Sequence, residues 1–297
     1  MMRPSHLAET VLLRGMAGVL GVLPHRAALA VGAGIGAAVG ALGLRRRVAR
    51  ANLALAFPER DPAWRERVLH EHYRELGRTA ADYTRLPRLA AAPREQVFAR
   101  WEHEHYMHEA HAHGRGVIML TGHFGNFELY AAAMSRVRPI AAMVKPLSNP
   151  GAERWASDMR RACGLEILPI GLGVRGAVRR LRAGGILAMV ADQDARRDGV
   201  FVPYFGRLAS TPTGPAWLSL ATGAPIVFGT CLRGPDGRYE ATLTPPMLPH
   251  GEAGDAEAVR ALTARHTAML EAAVRARPES WFWLHKRWKT PPPAGGS

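Results

Sequence analysis

The sequence predicts an α/β protein built on a largely parallel sheet that helices cover on both faces. Short apolar segments alternate with helical segments from residue 116 onward, which is the order that βαβ units produce. The strand candidates are GVIMLT (116–121), PIAAMV (139–144), EILPI (166–170) and ILAMVA (186–191). Because their apolar runs are continuous, we expect these strands to be buried on both faces. With 47% hydrophobic residues in 297, the chain can form a sizeable core, which excludes disordered and fibrous classes.

The segments between and around these strands carry helical signals. Periodic apolar positions predict an amphipathic helix over residues 63–86, followed by another helical segment that leads to about residue 113. Further helices are expected over residues 126–135, 150–163, 174–181, 214–222 and 255–276. A long loop follows the fourth strand. The turn Gly234-Pro235-Asp236-Gly237 then joins two late strands in a hairpin.

The first sixty residues are unusually apolar. An uncharged run over residues 27–44 follows a second apolar stretch over 11–24 and ends at Arg45-Arg46-Arg47. Eighteen residues are at the lower limit for crossing a bilayer, and basic flanks favour the cytoplasmic side. We therefore expect residues 1–60 to be a membrane anchor or a monotopic insertion, with the basic flank on the cytoplasmic side. The alternative is a pair of buried Gly/Ala-rich helices, since glycines 32, 36 and 40 allow a neighbouring helix to approach closely.

The remaining division follows from composition. Residues 61–290 are expected to form the main domain, and residues 291–297, rich in proline and glycine, a flexible tail. A cleaved signal peptide is disfavoured, because Arg14 and Pro24 interrupt the apolar region. Cys163 and Cys231 are far apart and do not form a disulfide framework, which favours a reducing compartment.

The net charge points to an anionic partner. Lys and Arg number 39 against 25 for Asp and Glu, a formal charge of +14. Nucleic acid, an acidic membrane surface and an acidic carrier protein all satisfy this excess, and charge alone leaves the three open.

The strongest local motif is Thr121-Gly-His-Phe-Gly-Asn-Phe-Glu128, where the first strand of the α/β region gives way to a helix. The carboxyl edge of a parallel sheet is where such folds bind ligands. We expect the Glu128 carboxylate to hold one imidazole nitrogen of His123, which leaves the other nitrogen free as a base. The alternative is that Glu128 is an ordinary first-turn acid and His123 an ordinary loop residue.

Several segments together resemble one known family. HFGNFE after GVIMLTG resembles the signature of the late acyltransferases of lipid A biosynthesis, the lauroyl and myristoyl transferases. In the same order along the chain, RRRVARANLALAFPE, LRAGGILAMVADQD and PESWFWLHKRWK resemble further segments of that family. The resemblance extends over nearly the whole chain.

The resemblance implies a fold like the glycerol phosphate acyltransferases, an αβα sandwich behind a membrane-associated N-terminal helical segment. It also implies transfer of a fatty acyl group from an acyl carrier protein thioester to a hydroxyl of a lipid A precursor. His123, oriented by Glu128, would be the general base, with no covalent intermediate and no cofactor. In agreement, the sequence has no G-x-S-x-G elbow.

The resemblance also assigns substrate-binding positions. Arg160 matches an arginine near the acceptor headgroup, Asp192 the first acid of an acidic loop, and Lys145 a basic position after the second strand. Asn126 of the motif and Gln193 of the acidic loop are also expected at the substrate. Two other functions stay open: the same chemistry on another glycolipid or lysophospholipid, and a non-enzymatic basic protein that binds membrane or nucleic acid. A nucleic-acid partner is not expected.

Five histidines occur within residues 103–113. Such a cluster can bind Zn²⁺ or Ni²⁺, but Met107 occupies the position that would pair with His103 in an H-E-x-x-H motif. We expect a solvated helix face and no metal site.

The segment over residues 281–289 mixes aromatic and cationic side chains. This composition suits a membrane interface or an anionic lipid groove, it also suits stacking on nucleic-acid bases, and it is compatible with buried packing against the sheet.

Overall fold

The computed structural model describes residues 3–293. Residues 294–297 of the predicted tail lie outside the described residues. The helices are α1 (Pro4–Val22), α2 (His25–Ala41), α3 (Arg46–Ala56), α4 (Pro62–Tyr83), α5 (Leu86–Ala91), α6 (Arg94–Val97), α7 (His105–Ala112), α8 (Phe127–Ser135), α9 (Pro150–Ala162), α10 (Val174–Arg182), α11 (Gly214–Thr222) and α12 (Ala256–Ala276). The strands are β1 (Phe98–Glu102), β2 (Val117–Thr121), β3 (Ile140–Val144), β4 (Glu166–Pro169), β5 (Ile186–Val190), β6 (Val200–Tyr204), β7 (Arg207–Thr211), β8 (Ile226–Arg233) and β9 (Tyr239–Leu243).

Seven of the strands form one sheet in the order β1-β9-β8-β2-β5-β3-β4. All neighbours are parallel except β8 and β9, which form the predicted antiparallel hairpin. Side chains on β2 alternate between two buried clusters, with Ile118 and Leu120 in one and Val117 and Met119 in the other. Helices α10, α11 and α12 contribute to the first cluster, and α5, α7 and α8 to the second. The predicted α/β class with a mostly parallel sheet is thereby confirmed, and helices cover both faces.

Two predictions about secondary structure were wrong. The segment before residue 113 is not helical throughout, and the region after the fourth strand is not loop throughout. Residues 98–102 form β1, a short edge strand on β9 whose alternating charged residues gave no continuous apolar run. The loop contains the two-stranded hairpin of β6 and β7. Phe205 and Gly206 both have positive φ at its turn, 54° and 70°, as a tight two-residue hairpin turn requires.

Helix α2 packs along α4 through its glycines. A Cβ on Gly36 would lie 2.0 Å from the Tyr73 carbonyl oxygen, and one on Gly77 would lie 1.9 Å from the Gly32 carbonyl oxygen. The two backbones are therefore in direct contact, and the expected close approach of a neighbouring helix is confirmed. The opposite face of α2 is exposed, and Val31 and Ile35 lie on it.

Among residues 3–293, no single helix combines the length and hydropathy needed to cross a membrane. Helices α2 and α3 meet that test only as a pair, and a bend of 91° separates them.

The strand order determines where the site lies. Strands β2 and β5 are direct neighbours, with Thr121 opposite Val190 at their carboxyl ends. The loops that begin with Gly122 and Ala191 therefore start side by side, although about seventy residues separate them along the chain.

Candidate active site

His123 is held by the carboxylate of Asp192. The imidazole Nδ1 lies 2.6 Å from Asp192 Oδ1, and the His123 backbone N–H donates to Asp192 Oδ2 at 2.8 Å. The imidazole is 35% exposed, whereas the carboxylate is 2% exposed. Since a carboxylate on Nδ1 favours the tautomer with the proton on that atom, Nε2 is left with its lone pair as a base.

The carboxyl-terminal segment closes this loop from the other side. The Trp281 indole Nε1–H donates to Asp192 Oδ2 at 2.8 Å, and the Phe282 N–H donates to the His123 carbonyl at 3.0 Å. Trp281 and Trp283 are fully buried. Of the functions left open for these aromatic residues, buried packing is what the structure contains. Trp281 was missed as a site residue because its partner, Asp192, lies 89 positions away along the chain.

The charges of the pair shift both pKa values. Burial alone would lower the pKa of His123, but the Asp192 carboxylate, with a smaller contribution from Glu128, raises it above the usual 6.5. Burial alone would raise the pKa of Asp192, yet the imidazole and the donated hydrogen bonds lower it to about 2. Asp192 is therefore ionised at neutral pH and stabilises the imidazolium that a base forms when it accepts a proton.

Glu128 does not hold the imidazole, which corrects the expectation from the motif. It instead pairs with Arg160, whose Nε lies 3.1 Å from both carboxylate oxygens and whose Nη2 also donates to Oε1. Both side chains are largely buried. The physical reason is that Glu128 begins α8 on the face toward α9, where a forked guanidinium satisfies both of its oxygens.

Asn126 and Asp192, both expected at the substrate, are buried and hydrogen-bonded within the protein. Asn126 is buried and caps α8, its side-chain oxygen accepting the Leu129 N–H at 3.1 Å and its amide donating to Tyr239 Oη at 2.8 Å. Asp192 is buried beneath His123, so its oxygens are occupied within the protein. Both residues therefore organise the site through these hydrogen bonds, and a direct role for either at the substrate stays a prediction.

Lys145 and Gln193 lie at the same edge of the sheet. Lys145 is exposed in the loop after β3, and Gln193 is half-buried in the loop after β5. A role for either residue at the substrate stays a prediction.

A narrow apolar cavity of about 50 Å³ opens beside the histidine. Its walls come from β2, β3, β5 and α8 and include Met119, Ala131, Ala142 and Ala188. Phe127 also lines the cavity, and its ring packs edge-on against the His123 ring with 5.5 Å between centroids. Glu128 and Arg160 are the charged groups of this lining within the described chain. The arrangement places a base next to an apolar cavity.

A parallel α/β fold with a carboxylate-bound histidine at its carboxyl edge, next to an apolar cavity, defines an α/β enzyme that acts on a substrate with an apolar portion. Comparison with known proteins gives the family. The model of the bacterial lipid A biosynthesis acyltransferases matches residues 4–290, so the chain belongs to that family and is an acyltransferase. The alternative of a non-enzymatic basic protein is wrong.

This chain is also similar to individual acyltransferases over most of its length. It is 29% identical over 266 residues to the lipid A biosynthesis palmitoleoyltransferase of Escherichia coli (87% of this chain, 85% of that one). It is 27% identical over 278 residues to the lipid A biosynthesis lauroyltransferase of the same organism (91% and 88%). A phosphatidylinositol mannoside acyltransferase of Mycobacterium tuberculosis is 26% identical over 248 residues (80% and 76%).

The histidine-rich segment follows β1 directly and forms helix α7. Met107 is buried, while His105 and His108 are exposed. In the described part of the chain, no group of three or more His, Cys, Asp or Glu side chains is arranged to hold a metal ion.

Proposed function

We propose that this protein transfers a fatty acyl group from an acyl carrier protein thioester to a hydroxyl of a lipid A precursor, with His123 as the general base. The contact of His123 with Asp192 supports this proposal most directly, because it gives the imidazole the tautomer that can accept a proton at Nε2. No cofactor is needed for this chemistry.

Proton transfer and acyl transfer balance within the site. Nε2 takes the proton of the acceptor hydroxyl as its oxygen attacks the thioester carbonyl, and a tetrahedral oxyanion forms. When the C–S bond breaks, the imidazolium returns the proton to the departing thiolate. The acyl group passes directly to the acceptor, so we expect no acyl-enzyme.

The first turn of α8 supplies donors for the oxyanion. Within the described chain, the backbone N–H groups of Phe127 and Glu128 donate to no backbone acceptor, because the first turn of a helix has none within the helix. The Asn126 side chain caps the Leu129 N–H. Free N–H groups and the helix dipole stabilise negative charge at a helix N-terminus. We assign the oxyanion to this position, beside His123.

We assign the acyl chain to the apolar cavity. A cavity of about 50 Å³ is smaller than a whole acyl chain, so the chain must displace side chains as it enters. Met119, Met143 and Met189 line the cavity, and methionine side chains rotate easily. Ala188 lies between Met119 of β2 and Ala142 of β3 in the strand register, which makes it the centre of the cavity floor.

Ala188→Leu is expected to shorten the acyl chain that the enzyme accepts. The added carbons fill the cavity floor, so kcat/KM for the longest accepted chain should fall about tenfold or more while shorter chains are less affected. The measurement is kcat/KM across a series of acyl carrier protein thioesters of increasing length. Ala183→Leu adds the same group on the exposed end of α10 and is the control. An unchanged chain-length profile in Ala188→Leu would exclude the cavity as the acyl site.

We propose that the protein lies at the cytoplasmic face of the inner membrane, attached through exposed apolar residues of α1 and α2. Val31 and Ile35 form an exposed apolar stripe on α2 at helical spacing, and Leu42 directly after the helix is exposed as well. Exposed residues of α1 extend this apolar surface, namely Leu7, Val11, Leu12, Met16, Val19 and Val22. Arg45 and Arg47 follow the stripe and are exposed, which suits anionic headgroups.

The double variant Val31→Asp/Ile35→Asp is expected to weaken membrane binding about tenfold or more, because two exposed aliphatic groups assigned to the bilayer become charged. Flotation with vesicles of phosphatidylethanolamine and phosphatidylglycerol measures it. Val137→Asp, an exposed valine before the amino end of β3, is the control. Equal binding by the double variant and the control would place the membrane contact elsewhere.

The acceptor is tested with the purified protein. Acyl carrier protein thioester is supplied together with a lipid A precursor, a phosphatidylinositol mannoside or a lysophospholipid, and mass spectrometry follows the gain of one acyl group. We expect the gain on the lipid A precursor. Gain only on the mannoside would make that glycolipid the acceptor. The similarity to a phosphatidylinositol mannoside acyltransferase is the reason to include it in the test. Transfer to no acceptor would overturn the proposal.

A further inference from the structure

A buried polar cluster lies behind the catalytic loop, on the side away from the cavity. Asp82 of α4 is fully buried, and its Oδ2 accepts the Tyr239 hydroxyl at 2.5 Å. Arg233 Nη2 lies 2.9 Å from the same oxygen, and His25 Nε2 lies 2.7 Å from Oδ1. Burial alone would raise the pKa of Asp82, but these partners lower it below its usual value. The cluster therefore contains a permanent buried charge.

Tyr239 connects this cluster to the motif over residues 121–128. Its hydroxyl donates to Asp82 and accepts from the Asn126 amide at 2.8 Å. The other end of the Asn126 side chain caps α8, whose first turn holds Glu128 and the two backbone N–H groups assigned to the oxyanion. The buried Asn126 side chain thus joins the cluster to the helix whose first turn carries the N–H groups assigned to the oxyanion.

The loop has little freedom to adjust if this connection is lost. The Asn126 N–H donates to the Cys231 carbonyl at 2.8 Å, and Gly125 passes so close to β8 that a Cβ there would lie 2.2 Å from the Cys231 carbonyl oxygen. Gly125 also has φ of 61°. Backbone contacts therefore keep the loop on β8, and the Asn126 side chain connects the buried cluster to the first turn of α8.

We propose that Asp82 and Tyr239 are positioning residues for acyl transfer, because they fix Asn126 and through it the first turn of α8 relative to His123. The inference rests on the proposed function. None of the cluster's members lines the cavity, so we expect the cluster to affect the position of the reacting groups and not substrate binding. A shift of about 1 Å in a reacting group costs on the order of 100-fold in rate, so a small rotation of α8 is enough to matter.

Tyr239→Phe removes the hydroxyl and leaves the ring in place. We expect kcat to fall about 10- to 100-fold with KM for both substrates nearly unchanged, because the first turn of α8 moves relative to His123. Amide hydrogen exchange should speed up in the first turn of α8 and not in α11 or α12. The control is Ser219→Ala, which deletes another fully buried hydroxyl, one that bonds the Ala224 carbonyl at 2.5 Å far from the loop.

Asn126→Ser separates the two contacts of Asn126, because serine caps a helix but cannot reach Tyr239. We expect it to reproduce the fall in kcat, and we expect the double variant Asn126→Ser/Tyr239→Phe to be no slower than the slower single variant. Should Tyr239→Phe not fold, Asn126→Ser carries the test alone.

Three results would overturn the inference: a kcat of Tyr239→Phe equal to that of Ser219→Ala, a loss confined to KM, or fully additive effects in the double variant. Uniformly faster exchange through the whole chain would assign the cluster to stability alone. Failure of the wild-type protein to transfer any acyl group would instead refute the proposed function, and hydrogen exchange would still report on α8.

Discussion

His123→Ala is expected to lower kcat for acyl transfer by about 1,000-fold or more, because no other group in the site holds a free imidazole nitrogen beside the oxyanion position. Substrate binding should change little, since the acyl cavity is lined by other residues. The assay is single-turnover transfer from acyl carrier protein thioester in detergent micelles, with the acceptor in excess.

His108→Ala is the matched control, because His108 is an exposed histidine on α7 away from the sheet edge. It should retain wild-type activity. Full transfer by His123→Ala would remove His123 from the mechanism, whereas a rise in KM at constant kcat would make it a binding residue.

Asp192→Asn is expected to reduce kcat by about 100- to 1,000-fold, although the change preserves the shape of the side chain. The carboxylate accepts three hydrogen bonds, from the His123 N–H and the Trp281 indole on Oδ2 and from His123 Nδ1 on Oδ1. An asparagine has one acceptor oxygen, which the two fixed donors occupy. Its NH₂ group then faces Nδ1 and forces the imidazole proton onto Nε2, where the base should be.

The pH profile distinguishes this role from a loss of stability. The base must be neutral, so wild-type kcat/KM rises with pH through the pKa of His123, which lies above 6.5. Without the Asp192 charge, burial dominates and the pKa of His123 falls. The midpoint of the residual activity should therefore move to lower pH in Asp192→Asn.

Asp194→Asn is the control, because Asp194 is on the same loop and bonds Thr290 and the Arg196 backbone but not His123. Its midpoint should stay at the wild-type pH. An unshifted midpoint in Asp192→Asn would show that the base is another group.

Much of the fold could be predicted because short segments of the sequence carry the pattern of each strand or helix. Continuous apolar runs mark β2, β3, β4 and β5, and helical periodicity marks α4 and α12. Gly32 and Gly36 predicted a close helix contact, and α4 provides it. Strand β1 and the hairpin of β6 and β7 escaped prediction, since short edge strands bury too few residues to produce an apolar run.

The sequence by itself determined that His123 follows a buried strand and precedes a helix, and the segments around it determined the family resemblance. Only the tertiary structure decided which carboxylate serves which partner. Because β2 and β5 are neighbours in the sheet, Asp192 reaches His123 from 69 positions away. Glu128, five residues from His123, turns with α8 toward Arg160 instead. Proximity along a chain limits what a side chain can reach, but the order of strands and the direction of helices determine what it meets.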